Sequence, residues 1–424
     1  MIITPKSKTL AQLVFCVLLF CPTSLIGQEI ATIKFDGLVR TDVTYLTNII
    51  ISEVGEPFDE ATLDADVQRL KNLASIGVAR FDIERVQDQV HITFTVEEVR
   101  TLLPVLNAGG IRDNLWLQLG LVDINWMGKG HQFSAIYQNS DRRHSGNIFY
   151  KQPRVNNSNW GYSASLNTWA SQEPLFFDGG DVLYDYNFNG ITLSGIRHFG
   201  YFQNIELGGT YFVEKYNKVR NDNEVDAPQS LTQPKWLGKL VYTNDRLNYD
   251  YFYLSGFKLE NNAQSVFNTL DNLWFLSNQF TLTHFKRLGR KGNFAQRIKL
   301  AIASNHDSPF APFVADSHVN IRGIGNRIDR GTAQVIVNTE YRHTVSHNKK
   351  WGVQGVVFAD AGTWRNPGGS LSQLFDVNQV RLFVGGGVRL IYHKLYGASL
   401  RIDYGVDMLN KSQRGFVIGL GQYF

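Results

Sequence analysis

The stretch VRLFVGGGVRLIYHKLYGASLRIDY, residues 380–404, decides the fold. Val380, Leu382, Val384, Val388 and Leu390 oppose Arg381 and Arg389, and after a short break Leu400, Ile402 and Tyr404 oppose Arg401 and Asp403. A period of two sends successive side chains to opposite faces of an extended chain, so each segment has one apolar face and one charged face. The apolar face suits lipid and the charged face suits a wet interior. Arg381, Arg389, Arg401 and Asp403 are accordingly read as lumen charges. Gly385-Gly386-Gly387 sits between apolar neighbours inside a strand, where close backbone packing is a better account than a phosphate cradle.

The same period runs outward from this stretch over residues 100–424. Sixteen alternating segments can be marked, the first near 101–110 and the last near 414–424, with no convincing helix among them. About 325 residues over sixteen strands leaves roughly twenty for each strand with its connection, which suits a bilayer-spanning strand of 9 to 11 residues plus loops. Near 201–216, Ile205, Leu207, Tyr211 and Val213 share a face while Glu206, Thr210 and Glu214 share the other. In the last segment Phe416, Ile418, Leu420 and Phe424 lie on one side and Gly415, Gly419 and Gly421 on the other. A soluble sandwich would also alternate. The number and length of the segments, with Tyr and Trp near many ends, favour a barrel with aromatic girdles.

Residues 28–99 read differently. A strand at 30–35 ends in the turn Asp36-Gly37; a short helix at 43–51 stops before Gly55-Glu56-Pro57; and Asp59 caps a second helix reaching about Ala74. Leu63, Val67, Leu70 and Leu73 form one apolar stripe on that helix, and two strands follow at 78–86 and 90–99. The expected fold class is therefore mainly β: a 16-stranded antiparallel transmembrane β-barrel at 100–424, preceded by one small α/β module, β-α-α-β-β, at 28–99.

Residues 1–27 have the form of a secretory signal, with Lys6 and Lys8, an apolar run at 10–20, then Pro22, Ser24 and Gly27. Cleavage is placed after Gly27. Acylation of Cys21 is the rival reading, disfavoured by the bulky Phe20 before it. Both cysteines, Cys16 and Cys21, lie in this segment, so the mature chain is expected to hold no disulfide and no thiolate metal site. No later stretch is long and apolar enough for a spanning helix.

Composition removes several function classes. With 43% apolar and 19% charged residues, 38 Gly and only 11 Pro, the chain is neither disordered nor collagen-like. A formal charge of +4 from 42 basic and 38 acidic side chains is too weak and too mixed for nucleic acid. There is no G-x-S-x-G elbow, P-loop or H-E-x-x-H, and His343 and His347, four apart at a strand end, do not converge as they would on a helix. Neither catalysis nor a cofactor is expected.

Two constellations remain. The connection at about 305–331 is long enough to suggest a role; it holds Ile321-Arg322-Gly323-Ile324-Gly325 and then Arg327, Asp329 and Arg330. If it folds inward, Arg322 needs a carboxylate, and Asp360, which shares the expected lumen face with Gln354, Phe358 and Gly362, is a candidate; a solvated arginine is the default alternative. At the seam of the barrel, Pro104, Gly109 and Gly110 in the first segment meet Gly415, Gly419, Gly421 and Phe424 in the last. Proline cannot donate to a ladder and glycines pack weakly, so closure there is expected to be weak, with simple relief of curvature as the equal alternative.

Taken jointly, these residues resemble the BamA/TamA outer-membrane assembly superfamily, which includes two-partner secretion transporters and bacterial surface antigen proteins. Ile321-Arg322-Gly323 resembles its V/I-R-G-F/Y loop tip, Phe358-x-Asp360-x-Gly362 its F-x-D-x-G strand, and 385–390 with 400–404 its closing strands. Phe35-x-Gly37, Gly55, Asp66, Arg69-Leu70, Leu73, Gly77 and Val96-Glu97-Glu98 resemble one POTRA module. Ile324 stands where the family has an aromatic residue, and Val78-Ala79 replaces its usual aromatic pair.

The resemblance implies an outer-membrane location in a Gram-negative-type cell, with the module in the periplasm. It implies an inward loop locked by Arg322 on Asp360, supported by Gly323, Phe358 and Gly362. It also implies partners: outer-membrane lipid, unfolded or β-rich polypeptide clients, and periplasmic or outer-membrane accessory proteins. The implied work is insertion of β-barrel proteins or translocation of a protein. A passive channel or scaffold for solutes, lipid or partner anchoring is the competing class.

Overall fold

The computed structural model describes residues 28–111, 114–140, 143–177, 179–219, 226–307, 311–315, 320–324, 329–409 and 413–424. The signal-like segment with Cys16, Cys21 and Gly27 lies outside the described residues, as do Gly325 and Arg327.

The N-terminal module contains β1 (Glu29–Asp36), α1 (Val43–Thr47), α2 (Glu60–Lys71), β2 (Ile76–Val86) and β3 (Gln89–Glu98). β1 runs parallel to β3 and β2 antiparallel to it, giving the order β1-β3-β2 with β1 and β2 at the edges. The apolar stripes of the helices bury Leu46, Leu63 and Leu70 against Ile92 and Phe94. Asp42 starts α1 by accepting the Thr44 N–H at 2.7 Å, and Asp59 starts α2 by accepting the N–H groups of Ala61 and Thr62. These bonds hold both carboxyls below their ordinary value, Asp42 chiefly through the Thr44 backbone N–H and Asp59 chiefly through the Thr62 hydroxyl. Each helix ends sooner than the sequence suggests, at an asparagine. The Asn48 amide donates back to the Thr44 carbonyl, and the Asn72 N–H donates to the Gln68 carbonyl.

Asp66, on α2, is fully buried and accepts the N–H groups of Ile51 at 2.5 Å and Ser52 at 3.0 Å. It satisfies the irregular chain between the helices. Asp66→Ala is expected to cost about 1–3 kcal/mol for each orphaned donor. Limited proteolysis should then cut within 43–58 while the barrel stays resistant; an uncut module would count against this role.

The barrel begins with β4 (Leu102–Ile111), β5 (Asn114–Trp126), β6 (His131–Ser140), β7 (Arg143–Gln152), β8 (Trp160–Phe177) and β9 (Gly180–Phe199). It continues through β10 (Gln203–Lys218), β11 (Ser230–Asp250), β12 (Tyr253–Asn268), β13 (Trp274–Leu288) and β14 (Gly292–Ala303). A long connection then carries a small hairpin, β15 (Phe313–Ala315) with β16 (Asp329–Gly331). The wall resumes with β17 (Ala333–His347), β18 (Trp351–Arg365), β19 (Arg381–Tyr392), β20 (Ser399–Asp407) and β21 (Arg414–Leu420). Sixteen strands form one antiparallel sheet in chain order, with β17 beside β14 and the β15–β16 hairpin outside it. Lengths are unequal: β11 has 21 residues and β21 has 7.

Alternation places the side chains as the pattern requires. Val384, Val388, Leu390, Leu400 and Ile402 face outward, whereas Phe383, Arg389, Arg401 and Asp403 are buried inside. The outward residues are exposed because their solvent is lipid.

The N-terminal module packs on the rim that carries the short turns. The Asp42 N–H donates to the Gly128 carbonyl at 2.9 Å, Arg40 Nη2 to Asp123 at 2.8 Å, and Asn125 Nδ2 to Thr41 Oγ1 at 3.0 Å. Farther round, the Arg69 guanidinium lies 4.4 Å over the Tyr201 ring, and the Tyr249 N–H donates to Asn72 Oδ1 at 3.0 Å. The module therefore touches the turns after β5 and β9 and the end of β11, leaning across the barrel mouth.

β4 and β21 are the two ends of the sheet. Among the described residues no backbone ladder joins them; the Leu420 N–H donates to the side-chain oxygen of Asn107 at 3.1 Å. Pro104 lies in β4 opposite Leu121, and Gly109 and Gly110 pair with Trp116 and Leu115. One expectation is overturned here. Phe424 does not continue the lipid face of Phe416, Ile418 and Leu420. The backbone turns at Gly421, whose φ of 90° lies in the left-handed region, and Gln422, Tyr423 and Phe424 fold into the barrel. Tyr423 is buried there, and the Phe424 ring lies 6.4 Å from that of Phe285.

Candidate functional site

The connection between β14 and β17 turns inward beyond its hairpin, so that residues 320–324 reach the middle of the barrel. Asn320 fixes the approach: its carbonyl accepts from Asn338 Nδ2 at 2.7 Å, and its side chain bridges Lys299 Nζ at 3.0 Å and the Val314 carbonyl at 2.6 Å. Gly323 forms the tip with φ 96°, and a Cβ there would lie 2.9 Å from the Gly405 carbonyl and the Phe383 ring. On the wall side, a Cβ on Gly362 would lie 2.5 Å from the Ile321 side chain. The tip thus fits only because both surfaces lack side chains at their closest approach.

Arg322 is fully buried. Its Nε and Nη2 donate to the two oxygens of Asp360 at 2.8 and 2.9 Å, its backbone N–H donates to the same carboxylate at 3.0 Å, and its Nη1 donates to Glu340 at 2.5 Å. Asp403 stands 3.6 Å from Nη1. The guanidinium lies 3.7 Å over the Phe358 ring and 4.4 Å over that of Tyr423. The forked donor matches a carboxylate in two bonds and the rings exclude water, so the contact is both oriented and strong.

The surrounding charges are interlocked. Arg342 Nε donates to Glu340, Arg389 holds Asp403 by two bonds of 2.6 and 3.0 Å, and Arg389 Nη2 lies 3.8 Å from Glu340. The tail closes the cluster from below. Arg401 Nη1 donates to the Gln422 carbonyl at 2.8 Å, Arg389 Nε to the Gln422 side chain at 3.2 Å, and Arg342 Nη2 to the Phe424 carbonyl at 3.1 Å. No charge here could stay buried without these partners.

The structure brings Arg322, Gly323, Phe358, Asp360 and Gly362 to one place, with Arg389, Arg401 and Asp403 around them. Arg381 is different: it lies at the start of β19 and is only half-buried. Of the seam residues, Gly415 lies under the loop tip, where a Cβ would meet the Gly323 carbonyl at 3.1 Å, and Gly419 lies against the Arg401 guanidinium. Glu340, Arg342, Arg297, Asn338 and Tyr423 were not singled out from sequence. Parity offered a signal for four of them, because Asn338, Glu340 and Arg342 alternate on one face of β17, and Arg297 is an inward charge of β14.

A membrane barrel of sixteen antiparallel strands, entered by its own loop and fronted by one α/β module, defines a class of outer-membrane proteins with a periplasmic appendage. Residues 125–424 match the family model described as the Omp85 superfamily domain, and residues 28–99 match the POTRA model described as the surface antigen variable number repeat. The chain belongs to the Omp85 superfamily, with the barrel in the outer membrane and the POTRA module in the periplasm.

Among solved structures, BamA from Haemophilus ducreyi lacking POTRA domains 1–3 is similar with a TM-score of 0.55 at 16% identity, over 92% of this chain and 84% of that one. CdiB from Acinetobacter baumannii is similar with a TM-score of 0.57 at 15% identity, over 94% and 74%. CdiB from Escherichia coli gives 0.60 at 10% identity, over 94% and 77%. At these identities the likeness is one of fold. No curated protein matches the chain.

Proposed function

We propose that this barrel handles polypeptide clients at the outer membrane, inserting β-barrel proteins or passing a protein across. The observation that carries the reading is the seam: β4 and β21 face each other without a backbone ladder among the described residues. Strand edges in lipid need partners for their N–H and C=O groups, and an incoming β-strand supplies them. The POTRA module offers a second template, because β2 is an edge of its sheet and can accept an extended chain. The loop locked through Arg322 would brace the wall beside the seam, since its tip rests against Gly405 of β20 and Gly415 of β21. No covalent bond is made or broken in such work. A passive pore is less well supported, because the loop tip and the tail occupy the middle of the lumen.

Photo-crosslinkers placed in β4 and β21 in growing cells test the proposal. Captured nascent outer-membrane proteins are expected for insertion, and one exported protein for translocation. Crosslinks to lipid and neighbouring strands alone, together with unchanged conductance after deletion of 28–99, would instead identify a plain channel.

A further inference from the structure

Val357 of β18 is 61% exposed, as a lipid-facing side chain should be, but Thr363, on the same face nearer the extracellular end, is only 7% exposed. The faces are fixed by Trp364, of the opposite parity, which packs inside on the cluster of Ile321, Ile336 and Phe383. What covers Thr363 from outside is the connection from β18 to β19. Its two 3-10 turns run at Leu371–Phe375 and Val377–Gln379, the first packs on β17 and β18, and the Thr363 hydroxyl donates to the Gln373 carbonyl at 3.4 Å. The connection therefore folds back over the outer face of the wall. Gln373 and Leu374 are half-buried there, whereas Leu371, Phe375 and Val377 are exposed, the last two at 84% and 72%. Between Ser370 and Val380 the only charged residue is Asp376, whose carboxylate accepts the Asn378 N–H at 3.0 Å.

We propose that residues 371–377 are an interfacial anchor, with Leu371, Phe375 and Val377 inserted among acyl chains of the outer leaflet. Three features favour lipid over a protein partner. The first is continuity: the outward row of β19 passes from Val384 through Leu382 to Val380 and so, along the chain, to Val377. The second is height. Trp351, whose ring lies 4.7 Å from that of Tyr392, stands at the periplasmic end of β18. Thr363 lies about 40 Å farther along the strand, which at the usual tilt places it about 30 Å higher, the thickness of the hydrocarbon layer. The third is size: three side chains cover far less than the roughly 800 Å² per side of a stable protein interface, while an interfacial segment needs only a few apolar groups. An anchor here fixes the level of β18, the strand that carries Asp360, in the bilayer. It does not depend on the client-handling reading.

The test uses the full chain in growing cells, with the photo-crosslinker p-benzoylphenylalanine at Phe375 and, for comparison, at Glu84, an exposed position of the POTRA module. Mass spectrometry reads the adducts. Position 375 is expected to give several-fold more lipid adduct than position 84. Adducts mainly to another protein would overturn the anchor in favour of a docking surface, and a lipid yield no higher than at 84 would overturn it in favour of a loop in water. A second measurement separates insertion from chance contact. With the crosslinker at Leu371, Phe375→Ser together with Val377→Ser should lower the lipid adduct several-fold; both serines replace exposed side chains, so the barrel is expected to fold. An undiminished adduct in that variant would also overturn the anchor.

Discussion

Replacing Arg322 with alanine is expected to lower the folding stability of the barrel by about 3–5 kcal/mol and to end client handling. The guanidinium is the partner that lets Asp360 stay in the wall: two of its bonds end on that carboxylate, beside one from the Arg322 backbone N–H, and a third guanidinium bond ends on Glu340. Alanine keeps the backbone bond, strands the acid and empties the space between Phe358 and Tyr423. Lysine should recover little, because a point charge cannot occupy both oxygens of Asp360 and lie flat over the rings. The double change Arg322→Met with Asp360→Leu removes both charges at similar volume and should regain much of the stability without regaining activity. Heat-dependent mobility on unboiled gels reads the first quantity, and delivery of a reporter client reads the second. An Arg322→Ala protein that melts and works like wild type would dispose of the lock.

The second large effect is expected at Glu340. This fully buried acid accepts from Arg322 at 2.5 Å and from Arg342, with Arg389 3.8 Å away. Arginine does not shed its proton, so Glu340→Ala leaves three guanidinium groups to share Asp360 and Asp403. The loss should be at least that of a broken buried pair, about 3–5 kcal/mol, with Glu340→Gln intermediate because its amide oxygen can still accept. Adding Arg342→Met to Glu340→Ala should restore part of the stability, since the two residues are in contact and their effects do not add. The gel assay decides again: an unshifted Glu340→Ala transition would mean that the loop is held by Asp360 without this acid.

How far the fold and the lock are legible in the sequence follows from where each constraint acts. Each of the sixteen marked segments overlaps a strand, because lipid on one side and a polar lumen on the other impose the period within every strand separately. Strand ends were less legible. β8 runs on to Phe177 and has 18 residues, well beyond the roughly 9 to 11 expected of a spanning strand, because Glu173 and Leu175 still face inward. Arg322 and Asp360 could be named as a candidate pair from the glycine-flanked loop tip and the inward face of β18. Glu340 could not, because nothing within one strand says which wall residue faces a loop formed elsewhere; that depends on closure of the whole sheet. The tail was misread for a local reason. Gly421 continues the alternation in sequence, and only its left-handed φ turns Phe424 away from lipid.

The inequality of the strands has a consequence for the bilayer itself. Seven residues, fully extended, reach about 23 Å, less than the roughly 30 Å thickness of a hydrocarbon slab. Acyl tails next to β21 must therefore shorten or tilt to hide it, while those against the 21-residue β11 are under no such demand. The leaflets are expected to be thinner on one flank of the cylinder, the flank where its two terminal strands meet. A newcomer entering there would have the least oil to cross.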